Sequence, residues 1–77
     1  MPKLPVVKPK QLVRALIKLG FFKHRQRGTS HLIMADKSGR RSTIAVHYGK
    51  DIPTGTLKAI LRDLDISVET FISALKK

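Results

Sequence analysis

Cysteine is absent from this chain of 77 residues, and only 5 side chains are acidic. Without cysteine there are no disulfide bonds and no thiolate zinc sites, so packing alone must stabilise the fold. Long apolar runs are lacking too. The 42% of residues that are hydrophobic fall in short periodic segments, whereas a membrane span needs about 20 in succession. The sequence therefore predicts one small globular domain with no membrane association.

Groups of metal ligands are also missing from the sequence. The 3 histidines are scattered, and the acidic residues fall mostly on predicted helices or turns, whereas metal sites bring several such side chains together at close spacing. We therefore expect neither a metal nor another cofactor.

Positive charge, in contrast, is abundant. The chain has 16 lysines and arginines, a net charge of +11 and a pI near 10.8. So strong an excess predicts a polyanionic partner, of which nucleic acid is the commonest.

The first eight residues differ in composition from the rest. Basic residues and prolines alternate there, and prolines favour extended backbone. The segment has no apolar stretch long enough for a signal peptide. We expect a flexible basic arm over residues 1–8, a single domain over residues 9–77 and a cytoplasmic location.

Apolar periodicity predicts three helices. The first spans about residues 9–19 and ends at Gly20, with Lys10, Arg14 and Lys18 on its polar face, either as a solvated surface or as phosphate contacts. After the loop that ends at Pro53, Thr54 or Thr56 can cap a second helix, and Ser67 can cap a third.

Between the first two helices, the pattern predicts three strands, at residues 21–26, 31–35 and 40–46. Their connections are too short for parallel crossovers, so they form an antiparallel meander, and Gly39 suits the positive φ of a hairpin turn. The order α-β-β-β-α-α predicts an α+β two-layer domain with helices on one face of the sheet, similar in outline to double-stranded-RNA-binding domains.

Alternation along the strands predicts which side chains are open to solvent. If Leu32 and Met34 face the helices, His31, Ile33 and Ala35 face outward; if Ile44 and Val46 face inward, Thr43, Ala45 and His47 face outward. A shift of one residue would reverse every side chain.

His31 is the leading candidate for catalysis, because it follows a glycine turn at the start of an apolar strand. Histidine, with an unperturbed pKa of about 6.5, can act as a base or an acid near neutrality. RNA is cut without metal when a base takes the 2′-hydroxyl proton and the oxygen attacks the adjacent phosphorus. His31 is the candidate base, while Lys23, Arg25 or Arg27, with backbone N–H groups at Gly28, Thr29 and Ser30, could stabilise the charged intermediate.

An ordered set of short motifs resembles the HicA family of mRNA interferase toxins over about residues 9–75. The set comprises Leu19-Gly20-Phe21, Gly28-Thr29-Ser30-His31, Ile44-Ala45-Val46-His47, and Gly55-Thr56-Leu57 through Ile60-Leu61. The resemblance implies a toxin of a type II toxin–antitoxin pair with a double-stranded-RNA-binding-like fold, which cleaves messenger RNA and is held inactive by a HicB-type antitoxin. The family's catalytic histidine maps onto His31.

One departure and two alternatives accompany this resemblance. His47 is the candidate for a secondary catalytic role, and Ala45, two residues before it, stands where the family often has proline. The chain could instead be a non-catalytic RNA-binding module, although the lysine cluster with which such domains span phosphates is missing between Pro53 and Lys58. A DNA-binding protein is disfavoured, because no helix is free to act as a recognition helix.

Overall fold

The structure, a computed structural model, describes residues 3–28, 31–45 and 50–76, without the side chain of Arg27. Its elements are α1 (Pro9–Lys18), β1 (Phe22–Arg27), β2 (His31–Ala35), β3 (Arg41–Ala45), α2 (Thr54–Asp63) and α3 (Val68–Lys76). The strands form one antiparallel sheet with β2 in the centre. The predicted α+β order is thus confirmed, and it is compatible with a double-stranded-RNA-binding-like fold. Over the part of the chain described, no helix has the length and apolar character needed to cross a membrane.

A single core lies between the sheet and the helices. Its largest fully buried side chains come from every layer: Val7, Leu12, Leu16, Met34, Ile44, Leu57, Leu64 and Phe71. Leu32 is also buried beside them. One face of the sheet is therefore covered by the helices, as the alternation of β2 and β3 predicts.

The N-terminal segment takes part in this core. Val7 is only 2% exposed, and its carbonyl accepts a hydrogen bond of 2.9 Å from the Ile52 N–H. Packing therefore extends beyond the predicted domain boundary at residue 9.

Helix termini follow the predictions in two cases and depart from them in one. Gly20 ends α1 with φ +97°, and the Ser67 Oγ accepts the Thr70 N–H at 3.1 Å to cap α3. The prediction that Thr54 or Thr56 caps α2 is wrong, because α2 begins at Thr54 and Pro53 holds the N-cap without a side-chain hydrogen bond. The ring of Pro53 fixes φ at −57°, so the chain enters the helix without a capping hydroxyl.

The turn between β2 and β3 is built around Asp36. Its Oδ1 accepts hydrogen bonds from the backbone N–H groups of Ser38 (3.1 Å) and Arg40 (3.0 Å) and from the Ser38 hydroxyl (2.8 Å). Gly39 supplies the positive φ, +95°, that was predicted for it. Arg40 Nε donates to Asp36 Oδ2 at 2.7 Å, and Arg40 Nη1 donates to the Leu64 carbonyl at 3.0 Å, at the end of α2.

These contacts set the ionisation of Asp36. Partial burial raises the pKa of its carboxyl, but the hydrogen bonds from Ser38 and Arg40 and the positive charge of Arg40 together lower it more, from 3.8 to about 2. The ionised carboxylate therefore stabilises the folded state. That contribution is complete above the ordinary pKa of 3.8 and is lost as the pH falls through about 2.

Replacing Asp36 with asparagine tests this linkage. We expect Asp36→Asn to lower the melting temperature at pH 7 and the difference from wild type to shrink as the pH falls from about 4 to about 2. Thermal unfolding followed by circular dichroism measures both. Asp51→Asn is the matched control, because Asp51 forms an exposed ion pair with Lys8 at 3.7 Å, and such pairs contribute about 0–1 kcal/mol. A difference from wild type that is independent of pH would contradict the linkage.

Candidate active site

His31 begins the central strand of the sheet. The chain reaches it after the turn at Gly28, whose φ of +62° lies in the left-handed region that glycine adopts without strain. Its side chain is exposed. In the register, His31 is opposite Arg27 on β1 and Ala45 on β3. Sheet hydrogen bonds on both sides thus hold the backbone of an exposed imidazole.

The sheet face away from the helices, here called the open face, carries His31. Leu32, Met34 and Ile44 are buried in the core, so their neighbours along β2 and β3 project to the opposite side. This confirms the predicted placement of His31, Ile33, Thr43 and Ala45. Ala35 lies on the same face, but the prediction that it is open to solvent is wrong, because it is only 6% exposed.

An open groove of about 700 Å³ lies along this face. Its lining includes His31, Ile33 and Thr43, together with Arg41 at the far end of β3. Ser42, a buried residue of β3, and Asp63 on α2 also line it, and the Ser42 hydroxyl donates to Asp63 Oδ2 at 3.1 Å. A ligand in the groove would contact the imidazole of His31 and the guanidinium of Arg41 on the same surface.

A β-bulge in β1 determines which of its side chains join the open face. Phe22 pairs with Ala35 and Arg25 pairs with Ile33, both open-face positions, while His24 is the extra residue between Lys23 and Arg25. Without the bulge, residues 22 and 25 would project to opposite faces, because side chains alternate along a regular strand. The bulge thus places an aromatic ring and a guanidinium on the face of His31.

The structure brings together some of the residues that the sequence indicated and separates others. Arg25 is exposed in the row next to His31, and Gly28 forms the preceding turn. Lys23 is opposite Met34, so it belongs to the other side of the sheet and stands apart from the imidazole. Thr29, Ser30 and His47 lie outside the described residues, as does the side chain of Arg27.

Two open-face residues were not among the predicted site residues. Arg41 is two positions before Thr43, so the alternation that placed Thr43 outward also indicates Arg41. Phe22 could not be found in this way, because its face depends on a bulge that has no clear sequence signature.

The charged groups around the groove define the chemistry that it can support. An exposed histidine can exchange protons near neutral pH, and nearby guanidinium groups bind phosphate oxygens in paired hydrogen bonds. Over residues 3–28, 31–45 and 50–76, the structure shows no group of three histidine or carboxylate side chains able to hold a metal ion. The arrangement suits proton transfer beside a bound phosphodiester.

Comparison with known proteins gives the family of the chain. A family model described as the HicA toxin of bacterial toxin-antitoxin matches residues 9–66, a range that contains α1, the whole sheet and α2. No curated protein matches the sequence. Since the family model covers well over half of the chain, including His31 and every residue of the groove, the chain belongs to the HicA toxin family of bacterial toxin–antitoxin systems.

Proposed function

We propose that this toxin is an endoribonuclease that cleaves messenger RNA in the cytoplasm, and thereby inhibits translation and growth, until a HicB-type antitoxin neutralises it. Family membership supports the toxin–antitoxin assignment. The observation that carries the enzymatic part is the exposed imidazole of His31 in an open groove that Arg41 also lines, with Arg25 exposed on the same face.

In the proposed reaction, His31 is the general base. It removes the proton from a 2′-hydroxyl, the 2′ oxygen attacks the adjacent phosphorus, and the bond from phosphorus to the 5′ oxygen breaks. The products are a 2′,3′-cyclic phosphate and a 5′-hydroxyl, which receives a proton from a second group. Arg25 and Arg27 stabilise the negative charge of the intermediate with backbone N–H groups at residues 28–30, and His47 is the secondary candidate for the acid.

A non-catalytic RNA-binding module is the alternative. Such a domain needs a row of lysines at the start of α2 to span duplex phosphates. Between Pro53 and Lys58 this chain has only Lys58, with Lys50 upstream. Arg25 and Arg41 instead share the open face with His31, Arg25 opposite Ile33 and Arg41 at the far end of the same groove, which favours cleavage of a bound strand over recognition of a duplex.

Removing the imidazole tests the catalytic role. We expect His31→Ala to abolish RNA cleavage and growth arrest while the fold and RNA affinity stay close to wild type, because the side chain is exposed and phosphate contacts carry the binding. Cleavage of labelled RNA, binding and thermal unfolding measure the three properties. Lys37→Ala, at the opposite end of the β2–β3 hairpin, is the control and should cut normally. A folded His31→Ala protein that still cuts at a comparable rate would remove His31 from the mechanism.

The identity of the attacking oxygen can be tested with modified RNA. Cleavage should persist in excess EDTA, and a 2′-deoxy substitution at the scissile nucleotide should block that bond while binding changes little. Mass spectrometry of the products should detect a 2′,3′-cyclic phosphate or its hydrolysis product. Cutting of the deoxy substrate, or an absolute need for a divalent ion, would indicate an activated water instead.

The antitoxin should inhibit by covering the open face. Acidic groups of a HicB-type protein would then lie against Arg25, so Arg25→Glu should weaken the complex, chiefly through slower association and a changed salt dependence. Titration calorimetry at two salt concentrations measures this, with Arg62→Glu on α2 as the charge-matched control. Equal weakening by both variants would mean that net charge, and not the open face, attracts the antitoxin.

A further inference from the structure

The open face is organised in three rows that run across the sheet. His31 defines the first row, with register partners Arg27 and Ala45; Ile33 defines the second, between Arg25 and Thr43; and Ala35 defines the third, between Phe22 and Arg41. Successive rows are about 6.6 Å apart, because each step is two residues along a strand. The third row is therefore about 13 Å from His31, too far to contact the bond that His31 would act on.

The third row presents an aromatic ring and a guanidinium to solvent. Phe22 is 44% exposed and lies outside the core to which its neighbour Phe21 belongs. Its ring is in edge-to-face contact with that of His24, with the two centroids 6.4 Å apart. Arg41 is exposed on the other side of Ala35, and Ala35 itself is only 6% exposed. A ligand at this row would meet the ring and the guanidinium, not the strand beneath them.

This combination fits a single nucleic-acid strand. Proteins that bind single strands combine a positive surface along the backbone with aromatic rings on which bases stack. Sheets whose exposed aromatic side chains stack on RNA bases are one established form of this binding. In a duplex, both faces of each base are already stacked, so an exposed ring on a sheet gains little from it.

We infer that the open face is a track for single-stranded RNA, which runs from His31 to a subsite formed by Phe22 and Arg41. Phe22 stacks on a base a few nucleotides from the scissile bond, and Arg41 binds a phosphate of the same segment. These two residues position the strand and do not take part in the chemistry. The inference rests on the proposed ribonuclease function and adds to it the strandedness of the substrate and a second binding site.

Binding to a chemically scanned RNA tests the stacking. The probe is a short single-stranded RNA with one cleavage site, made resistant by 2′-deoxy substitution at the scissile nucleotide and carrying one abasic position at a time. At one position away from the cleavage site, the abasic change should weaken wild-type binding by about 5-fold to 100-fold. The same change should have less than a roughly twofold effect on Phe22→Leu, since the partner ring is already gone. In Phe22→Tyr, which keeps an aromatic ring, the abasic change should again weaken binding as it does in wild type.

A second pair of variants tests the phosphate contact. Arg41→Gln should weaken binding and reduce the slope of log affinity against log salt by about 0.7, the value for one phosphate on a single strand, and Arg41→Lys should restore the slope. With cleavable RNA, both Phe22→Leu and Arg41→Gln should raise KM more than they lower kcat, because neither side chain reaches the scissile bond. Ile17→Ala and Arg62→Gln, exposed positions on α1 and α2, are the matched controls and should leave binding unchanged.

The outcomes separate this inference from the proposed function. If wild-type protein cuts RNA and the Phe22 and Arg41 variants behave like the controls, the track is wrong and the ribonuclease stands. If the same RNA in duplex form binds equally tightly and is equally weakened by the variants, the single-strand assignment is wrong. If the variants cut RNA normally but are no longer bound and inhibited by the antitoxin, the third row contacts the protein partner and the RNA track is wrong. If wild-type protein neither binds nor cuts RNA, the proposed function itself fails.

Discussion

The ion pair between Asp36 and Arg40 connects the parts of this domain that must be aligned for the open face to exist. Asp36 closes the turn between β2 and β3. Arg40 binds Asp36, reaches the Leu64 carbonyl at the end of α2, and lies 5.3 Å from the centre of the Phe21 ring at the start of the sheet. One guanidinium thus joins the hairpin, the second helix and the junction after α1. Arginine suits this role because its planar group can satisfy several partners at once.

The alignment decides which chemistry reaches solvent. Side chains alternate along a strand, so a slip of one residue between β2 and β3 would exchange the two faces of β2. His31 would then face the helices. Leu32 and Met34, which are buried in the observed structure, would face water. The hydrophobic cost of exposing two large side chains, about 1.5–3 kcal/mol each, opposes that slip. The core and the turn therefore fix the position of the candidate base together.

The fold was predictable because each element carries its own local signal, and the site was predictable only where it follows from regular alternation. The apolar spacing in α1, the glycines at residues 20 and 39 and the alternation in β2 all act over a few residues, so the sequence displays them directly. The cap of α2 was misassigned because the helix begins at Thr54 itself, with Pro53 at the N-cap, and the threonines do not mark which residue comes first. Phe22 was missed for a different reason: the bulge at His24 depends on pairing with a distant strand, and no local pattern records it.

RNA binding and inhibition by the antitoxin would share one surface, the open face. The described helices pack on one face of the sheet, and a domain this small buries only about 60% of the surface that its unfolded chain exposes. The other face carries exposed arginines and a histidine among smaller apolar side chains and the ring of Phe22. If RNA occupies that face, an acidic antitoxin that covers it competes for the same arginines and also hides the imidazole of His31. The antitoxin would then block His31 and neutralise the arginines in the same binding event. Any substitution of Arg25 that lowers the affinity for the antitoxin would also lower the affinity for RNA. Such coupling limits how far the toxin could escape its antitoxin without losing activity.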